Sequence, residues 1–233
     1  TNIPEKVNLL VLIHPKELSD KTLFAIDQFV MKGGRLLVFV DPFAQAEIIV
    51  PDPQNPMAAY QADKNSNLQK LFQSWNVNFD PKKVLLDDAF ALSIQTRQGA
   101  RPTRHLAYLA LKDKAFNEAD IITRDLDTVN LAASGYFVSD TIEPILSSSN
   151  MASTTSSDAL KFLTDPSTLF NDYKSDNSNY TIAGRLTGTI NTAFPNAIEG
   201  VDINSIIKEN NQPNVVLFAD VDILFDQMWV RSQ

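Results

Sequence analysis

Three short apolar runs constrain the fold of this chain more than any other feature. They occupy residues 7–13 (VNLLVLI), 35–40 (RLLVFV) and 214–221 (NVVLFADV). Runs of this length with few polar interruptions are typical of strands that are buried on both faces, as in a parallel sheet. We therefore expect these runs to form the core strands of an α/β fold.

An amphipathic helix is predicted between the first two runs. Leu23, Ile26 and Val30 recur at helical spacing, Ser19 is a suitable N-cap, and the glycine pair at 33–34 ends the helix. A strand, a helix and a second strand in this order form a β-α-β unit. In such a unit the two strands run parallel and are joined by a right-handed crossover.

The pattern changes between the two ends of the chain. Residues 91–192 contain looser strand patterns with many Thr, Ser and Asn, and residues 147–157 (SSSNMASTTSS) predict a mobile polar loop. We predict a mostly parallel sheet built from residues 1–90 plus 193–233, with a β-richer polar region inserted at 91–192. Residues 43–66 contain several prolines and little pattern, which indicates a long surface loop.

The charge balance and the cysteine count exclude several functions. The chain carries 28 acidic and 20 basic residues, a net charge of -8, and has an isoelectric point near 4.7. A surface of this sign repels phosphate backbones, so we expect no nucleic-acid partner. The sequence contains no cysteine, which excludes disulfides, thiolate metal sites and a cysteine nucleophile. The chain opens almost directly into a strand, and we expect it to be a soluble piece of a longer protein.

Six residues lie at or just beyond the ends of predicted strands, at the edge where open α/β sheets bind ligands. We assign them to a ligand or partner rim: His14, Lys16, Asp41, Phe43, Asp220 and Asp222. For His14, Asp41 and Asp222 a purely structural role is a simpler interpretation than ligand binding. His14 would turn the chain out of the strand in an extended form before Pro15, and Asp41 would accept backbone N–H groups in the loop. Asp222 would cap the segment that follows it.

Basic residues concentrate in one predicted loop of this acidic chain. Arg97, Arg101 and Arg104 stand close to His105. Such a loop can bind an anionic ligand or an acidic partner surface, although a solvated loop is the simpler interpretation.

Motifs for nucleophilic catalysis are absent from the sequence. It has no G-x-S-x-G elbow, no H-E-x-x-H and no supported S-x-x-K. The two histidines have no clear carboxylate partner and make a poor metal set. Asp41, Asp220 and Asp222 could hold Mg²⁺ in a hydrolase only if their carboxylates converge within about 5 Å of one point. We expect no catalytic residue, no metal and no cofactor.

Several motifs resemble those of a known bacterial family. They are HPKELS at 14–19, DQF at 27–29, GGRLLVFVDP at 33–42, YTIAGRLTGTINTAFP at 180–195 and NVVLFADVDILFDQMWVR at 214–231. Together they resemble the GldG-like auxiliary components of ABC-type transport systems, which are associated with gliding motility. The resemblance covers both ends of the chain and is weaker between about residue 90 and residue 175.

The resemblance implies a fold, a location and partners. The family fold is flavodoxin-like and similar to that of the class I glutamine amidotransferases. The parent protein would carry membrane helices on either side of this soluble part, which would lie on the extracytoplasmic (periplasmic) side of the bacterial inner membrane. An ABC ATPase and a permease would be its partners. The catalytic cysteine of the amidotransferases has no counterpart here, so the fold would be used without its chemistry.

Three functions follow from these observations and remain open. The first is a non-enzymatic auxiliary domain that acts in complex assembly or substrate handling. The second is a small-ligand or glycan-binding module that uses the loop at 43–66, with Phe43 or Tyr60 beside carboxylates. The third is a metal-dependent hydrolase built on Asp41, Asp220 and Asp222.

Overall fold

The computed structural model describes residues 3–51, 53–55, 57–95, 99, 101–196 and 198–229. Its strands in chain order are β1 Leu9–Ile13, β2 Arg35–Phe39, β3 Asn78–Phe79, β4 Lys83–Asp87, β5 Ala91–Ile94, β6 Thr103–Leu111, β7 Val129–Ala132, β8 Phe137–Val138, β9 Ile142–Ser147, β10 Ala152–Ser156, β11 Thr181–Leu186, β12 Ile190–Asn191, β13 Glu209–Asn210 and β14 Asn214–Phe218. Its α-helices are α1 Asp20–Met31, α2 Met57–Gln61, α3 Gln69–Ser74 and α4 Asp158–Lys161. Short 3₁₀ helices occupy Asp113–Ala115, Pro166–Phe170, Ile203–Ser205, Asp222–Leu224 and Asp226–Met228.

The predicted β-α-β unit is present at the start of the chain. β1 and β2 pair in parallel, with Ile13 in register with Phe39. Ser19 caps α1 because its side chain accepts a hydrogen bond from the backbone N–H of Thr22 at 3.3 Å. The prediction of two parallel strands joined by a helix is therefore confirmed.

The largest sheet contains seven of the strands that the structure describes. Its order is β1-β2-β14-β11-β8-β3, and β9 also pairs with β11. β2 lies between β1 and β14 and is parallel to both. β11 is antiparallel to β14, β9 and β8, and β3 is antiparallel to β8. The smaller sheets β4–β10, β12–β13 and β5–β6–β7 are antiparallel as well.

The predicted fold class, a mostly parallel flavodoxin-like or class I glutamine amidotransferase-like sheet, is wrong. Among the strand pairs that the structure describes, only β1–β2 and β2–β14 are parallel. Apolar patterning reports how deeply a strand is buried, and it carries no information on the direction of the neighbouring strand. The chain completes the sheet with the antiparallel strands β3, β8, β9 and β11, most of which come from residues 91–192.

The first apolar run was expected to be buried on both faces, and this expectation is also wrong. Among the described strands β1 lies at the edge of its sheet, and its residues alternate between exposed and half-buried. Leu10 and Leu12 pack against the core, whereas Leu9, Val11 and Ile13 are 54%, 42% and 56% exposed. A continuous apolar run therefore does not distinguish a doubly buried strand from an edge strand with one uncovered face.

The predicted mobile loop at 147–157 contains a strand. β10 pairs with β4 in register from Ala152 opposite Asp87 to Ser156 opposite Lys83. Ala152 is fully buried and Ser153 is 7% exposed, so the small polar side chains of this segment pack against the rest of the molecule. The prediction of a mobile loop is therefore wrong for β10. Its composition of small polar residues is typical of a loop, but these residues also fit a closely packed sheet.

The first hydrophobic core lies between the helices and one face of the seven-stranded sheet. α1 contributes Ile26 and Val30, α3 contributes Leu71 and Phe72, and the sheet contributes buried residues of β2 and β14. α3 follows the loop at 43–66, which itself contains the short helix α2. A second core lies against β9 and β11 and includes Leu109 of β6.

Residues 91–192 are rich in strands, as predicted, and contain β5 to β12. The division of the chain into a core at 1–90 plus 193–233 and an insertion at 91–192 stays a prediction. Within the residues that the structure describes, no helix has the length and apolar character needed to cross a membrane.

Candidate functional site

The ends of β2 and β14 bring three aspartates together. The two strands are parallel neighbours, with Phe39 in register with Phe218. Asp41 and Asp220 each lie two residues beyond these positions, and Asp222 follows closely. Each of the three side chains offers one carboxylate oxygen, and these oxygens lie within 4.8 Å of one another. We call Asp41, Asp220 and Asp222 the aspartate cluster; all three residues are 0–1% exposed.

Asp41 links the loop after β2 to the loop after β14. Its Oδ1 accepts a hydrogen bond from the backbone N–H of Phe43 at 2.7 Å, and its Oδ2 accepts one from Val221 at 2.8 Å. The backbone N–H of Asp41 donates to Oγ of Ser66 at 3.1 Å. The interpretation that Asp41 accepts backbone N–H groups in its loop is therefore confirmed, and it extends to a second loop.

Asp220 makes the same kind of contact to another strand. Its Oδ2 accepts the backbone N–H of Ala132, at the end of β7, at 2.9 Å. Its Oδ1 accepts the backbone N–H of Ile223 at 2.9 Å. Asp220 therefore fixes the antiparallel β5–β6–β7 sheet to the end of β14.

Asp222 holds the start of the loop at 43–66. Its two carboxylate oxygens accept the backbone N–H groups of Gln45 and Ala46, each at 2.7 Å. The expectation that Asp222 caps the segment after it is wrong, because Val221 occupies the N-cap position of that 3₁₀ helix without a side-chain bond. The carboxylate points to a loop that lies about 176 residues earlier in the chain.

Burial raises the pKa of all three carboxyl groups. For Asp41 the charges of Asp220 and Asp222 raise the pKa further, and the pKa values of Asp41 and Asp220 lie well above the usual range. Because like charges at this distance resist joint ionisation, the cluster favours retaining a proton. Burial, followed by the charges of Asp222 and Asp220, also raises the pKa of Tyr108 to about 12.

The convergence that a metal-dependent hydrolase requires is present in the aspartate cluster. Carboxylate oxygens at this spacing are ligands that a hard cation accepts. However, every carboxylate oxygen of the cluster already accepts a hydrogen bond from a backbone N–H. These bonds satisfy the buried oxygens without a cation, so we interpret the cluster as a structural junction between loops.

A second polar group lies at the end of β1. His14 Nε2 lies 3.1 Å from Oε2 of Glu47, and Lys16 Nζ lies 2.5 Å and 2.7 Å from the two carboxylate oxygens of Glu47. Lys16 also donates to the backbone carbonyl of Asp63 at 3.1 Å. We call His14, Lys16 and Glu47 the rim cluster. Partial burial alone would raise the pKa of Glu47, but the bonds from Lys16 and His14 lower it.

Glu47 is the residue of this group that sequence reasoning missed. It lies 33 residues from His14, within a loop that has no periodic pattern, so no local signal pairs the two. Because Pro15 follows His14, an extended backbone was expected at His14, and this expectation is wrong. His14 has φ of 52°, in the left-handed region, although Pro15 follows. Its backbone N–H bonds to the carbonyl of Phe39 and its side chain to Glu47, and these bonds offset the strain.

Phe43 donates its backbone N–H to Asp41, but its side chain belongs to neither cluster. Phe43 is 7% exposed and packs in a third core, with Lys64 Nζ 5.9 Å from its ring centroid. Arg101 is exposed, and Arg104 forms a 2.9 Å ion pair with Asp88. Arg97 and the side chain of Tyr60 lie outside the described part of the chain.

His105 does not belong to an exposed basic loop. It is 5% exposed, and its Nδ1 accepts the backbone N–H of Ala107 at 3.2 Å. Burial lowers its pKa to about 4, so the imidazole is neutral at physiological pH. His105 therefore contributes no positive charge to the predicted basic loop.

Comparison with known families identifies the group to which the chain belongs. The family model described as "ABC-type uncharacterized transport system" matches residues 1–233. The chain belongs to this family. The family is an auxiliary component of ABC-type transport systems, which implies transporter partners in general. A search of curated proteins found no match.

Proposed function

We propose that this chain is a non-catalytic domain of the GldG-like kind, acting in complex assembly or substrate handling with a permease and an ABC ATPase. Its place would be the extracytoplasmic (periplasmic) side of the bacterial inner membrane, as part of a membrane-anchored parent. The match of the transport-system family over residues 1–233 carries this proposal. The motifs at 14–19, 27–29 and 33–42 support the narrower GldG-like assignment.

The aspartate cluster supports a non-catalytic role. A catalytic carboxylate has to reach a substrate or a bound water, and Asp41, Asp220 and Asp222 are 0–1% exposed. Their oxygens are engaged by backbone N–H groups from the loops around them. The aspartate cluster at the carboxyl ends of β2 and β14 therefore holds loops together.

The rim cluster is the surface that we assign to partner contact. The side chains of His14, Lys16 and Glu47 are 17%, 32% and 25% exposed, so their outer atoms reach solvent. The cluster joins the turn after β1 to the loop at 43–66, which gives a fixed polar surface at the strand ends. Fixed polar groups of this kind give register and specificity to protein contacts.

A second candidate function is the binding of a small ligand under the loop at 43–66. A cavity of about 370 Å³ lies there, lined by residues that include Phe43, Ile49, Lys64 and Leu160. Its size is at the lower end of the range for ligand pockets, and it combines apolar walls with two lysines, of which Lys161 already pairs with two aspartates. A ligand with an apolar body and one negative charge fits this lining best.

Recovery of partners from the membrane tests the first function. The tagged full-length parent protein is extracted in mild detergent, and the co-purifying proteins are identified by mass spectrometry. We expect an ABC ATPase and a permease in near-stoichiometric amounts. Recovery of the parent alone from well-extracted membranes would contradict the proposal, and screening of anionic ligands by thermal shift would then test the cavity.

A further inference from the structure

A cavity of about 460 Å³ lies between β10 and the segment at 163–173. Leu86 of β4, together with Leu163 and Leu169 of that segment, gives it apolar walls, and most of its other lining residues are polar. Its volume is within the range of about 300–1,000 Å³ for ligand pockets. It shares no described lining residue with the cavity under the loop at 43–66, so the two cavities are separate.

Two hydroxyl groups of β10 line this cavity and have no partner in the described part of the chain. Ser153 and Thr155 are two residues apart, so their side chains share one face of the strand. Neither side chain forms a hydrogen bond with a described residue. Ser153 is only 7% exposed, and a buried hydroxyl without a partner in the protein is rare because it is costly. The hydroxyl of Ser153 therefore indicates a cavity that receives a polar molecule.

The backbone of β10 adds a donor and an acceptor between these two hydroxyl groups. The carbonyl of Ala152 accepts the N–H of Asp176 at 2.8 Å, so the backbone groups of Ala152 point away from β4. Because these directions alternate along an antiparallel strand, the N–H and C=O of Thr154 also point away from β4. Thr154 lines the cavity, while its side chain is hydrogen-bonded to Tyr136. Its backbone N–H and C=O are therefore available to a ligand.

The opposite wall supplies an amide, a carboxylate and an aromatic ring. Asn171 and Asp172 are exposed at the mouth of the cavity, and their side chains bond to no described residue. The hydroxyl of Tyr173 donates a hydrogen bond to the carbonyl of Met151, which fixes the position of the tyrosine ring. Ligand pockets typically combine apolar and aromatic walls with a small number of well-placed polar groups, and the two walls together have this composition.

The charge of the lining argues against ionic ligands. The described lining residues include no lysine, arginine or histidine, so an anion would have no counter-charge. Asp172 contributes the only carboxylate of this lining, and a single exposed carboxylate binds a cation weakly. Hydroxyl and amide groups both donate and accept hydrogen bonds, and the hydroxyl groups of a polyol or a sugar do the same. The lining therefore matches an uncharged ligand that carries several hydroxyl groups.

We propose that this cavity binds an uncharged polyhydroxylated molecule of the size of one sugar ring, either free or at the end of a glycan. The ring hydroxyls bond to Ser153, Thr155 and the backbone of Thr154, and Asn171 and Asp172 hold the hydroxyls nearest the mouth. The C–H groups of the ring pack on the apolar wall. This inference does not rest on the proposed role in transport, and it places the ligand away from the rim cluster and from the other cavity.

Saturation-transfer NMR with the chain of 233 residues tests the proposal. The probes are D-glucose, D-galactose, D-mannose and N-acetyl-D-glucosamine, each titrated to about 20 mM. We expect at least one to bind with a dissociation constant of about 1 mM, since a ligand of this size is held by hydrogen bonds to mostly uncharged groups. If none of the four binds, the cavity holds only water and the proposal is overturned.

The methyl glycoside of the sugar that binds best distinguishes the two sources of the ligand. Binding that is equal or tighter indicates the end of a glycan, because the glycoside blocks the anomeric hydroxyl as a glycan linkage does. Loss of binding indicates a free sugar. Both outcomes support a sugar site in this cavity.

Two variants remove the unpartnered hydroxyl groups of β10, Ser153→Ala and Thr155→Val. Because neither hydroxyl bonds to a described residue, we expect melting temperatures equal to or above that of the parent chain. Binding of the best sugar should weaken at least about threefold in each variant. Thr128→Val is the matched control, because it makes the same chemical change just before β7, outside the cavity, and should leave binding unchanged. Unchanged binding in both folded β10 variants would overturn the proposal.

Asp172→Asn tests the preference for an uncharged ligand. In the parent chain Asp172 repels the carboxylate of D-glucuronate, so we expect this sugar acid to bind at least about threefold more weakly than the best neutral sugar. The asparagine keeps a carbonyl oxygen that accepts a hydrogen bond, so the variant should bind the neutral sugar as before and D-glucuronate more tightly than the parent chain does. Tighter binding of D-glucuronate than of all four neutral sugars by the parent chain would overturn the proposed ligand class.

Discussion

The backbone N–H of Val221 donates a 2.8 Å hydrogen bond to Oδ2 of Asp41, across 180 residues of the chain. The other carboxylate oxygen of Asp41 accepts the N–H of Phe43. One fully buried side chain therefore satisfies two backbone donors that belong to the loops after β2 and β14. Asp41 therefore stabilises the protein by holding these two loops together.

Removal of the Asp41 carboxylate should destabilise the protein strongly. In Asp41→Ala the N–H groups of Val221 and Phe43 lose their acceptor while they remain buried, and each buried donor without a partner costs about 1–3 kcal/mol. We expect the free energy of unfolding to fall by about 3 kcal/mol. Urea denaturation followed by circular dichroism measures this change.

The control for this variant is Asp20→Ala. Asp20 pairs with Lys70 at 2.8 Å, but its side chain is 68% exposed, so its loss should cost less than about 1 kcal/mol. If the two variants were equally stable, the hydrogen bonds to Asp41 would contribute little and our structural interpretation of the cluster would be wrong.

The aspartate cluster should make the protein more stable in mild acid than at neutral pH. A carboxyl group whose pKa is raised in the folded state binds its proton more tightly there than in the unfolded chain. Its contribution to stability is complete below the ordinary pKa of 3.8 and is lost as the pH rises through the raised value. This contribution should raise the melting temperature as the pH is lowered from about 8 to about 6.5; at lower pH it is opposed by His105, whose pKa burial lowers to about 4, because the neutral imidazole then has to bind a proton.

The variant Asp41→Asn isolates this effect. It removes one negative charge from the cluster and keeps a carbonyl oxygen that can accept one N–H bond. The change of melting temperature with pH should be smaller in this variant than in the parent chain. Glu47 and Asp120 have lowered pKa values and oppose the trend at more acidic pH. Identical pH profiles for the two proteins would show that the cluster does not titrate as we infer.

Divalent cations should leave the stability of the protein unchanged. The oxygens of the aspartate cluster are already engaged by backbone N–H groups, so a cation would have to displace or share these bonds. We expect no rise in melting temperature with millimolar Mg²⁺ or Ca²⁺, since only a ligand of the folded state raises it. A rise that is absent in Asp222→Asn would favour the hydrolase hypothesis instead.

Local patterns in the sequence predict local structure well in this chain. The Ser19 cap, the helical spacing from Leu23 to Val30 and the parallel pairing of β1 with β2 follow from short-range rules. The direction of the other strands does not follow from such rules, because β11 pairs with β14 through contacts between residues that are distant in the sequence. The same limit explains why β1 is an edge strand despite its apolar sequence.

The sequence predicts which aspartates meet at the candidate site, but not the partners of their carboxylates. Residues that follow parallel neighbours must come close, which is why Asp41 and Asp220 meet after β2 and β14. The partners of the carboxylates could not be predicted, because Ala132 and Gln45 contribute backbone N–H groups, which every residue except proline carries. The role of Glu47 could not be predicted because its contact with His14 depends on the path of an irregular loop.

The rim cluster provides the last prediction, which separates partner binding from stability. Glu47 joins Lys16 and His14 in a partly exposed contact, and such contacts contribute at most about 1 kcal/mol to stability. We expect Glu47→Gln to fold with nearly unchanged stability and to recover less permease when the full-length protein is purified from membranes.

Asp125→Asn is the matched control, because Asp125 also forms an exposed ion pair, with Arg124 between β6 and β7, and the loss of its negative charge should leave permease recovery unchanged. Charge removal is then similar in size for the two variants, and only its position differs. Equal permease recovery from both variants and from the parent chain would exclude the rim cluster from the transporter contact. Loss of recovery in both variants would indicate a general effect of surface charge.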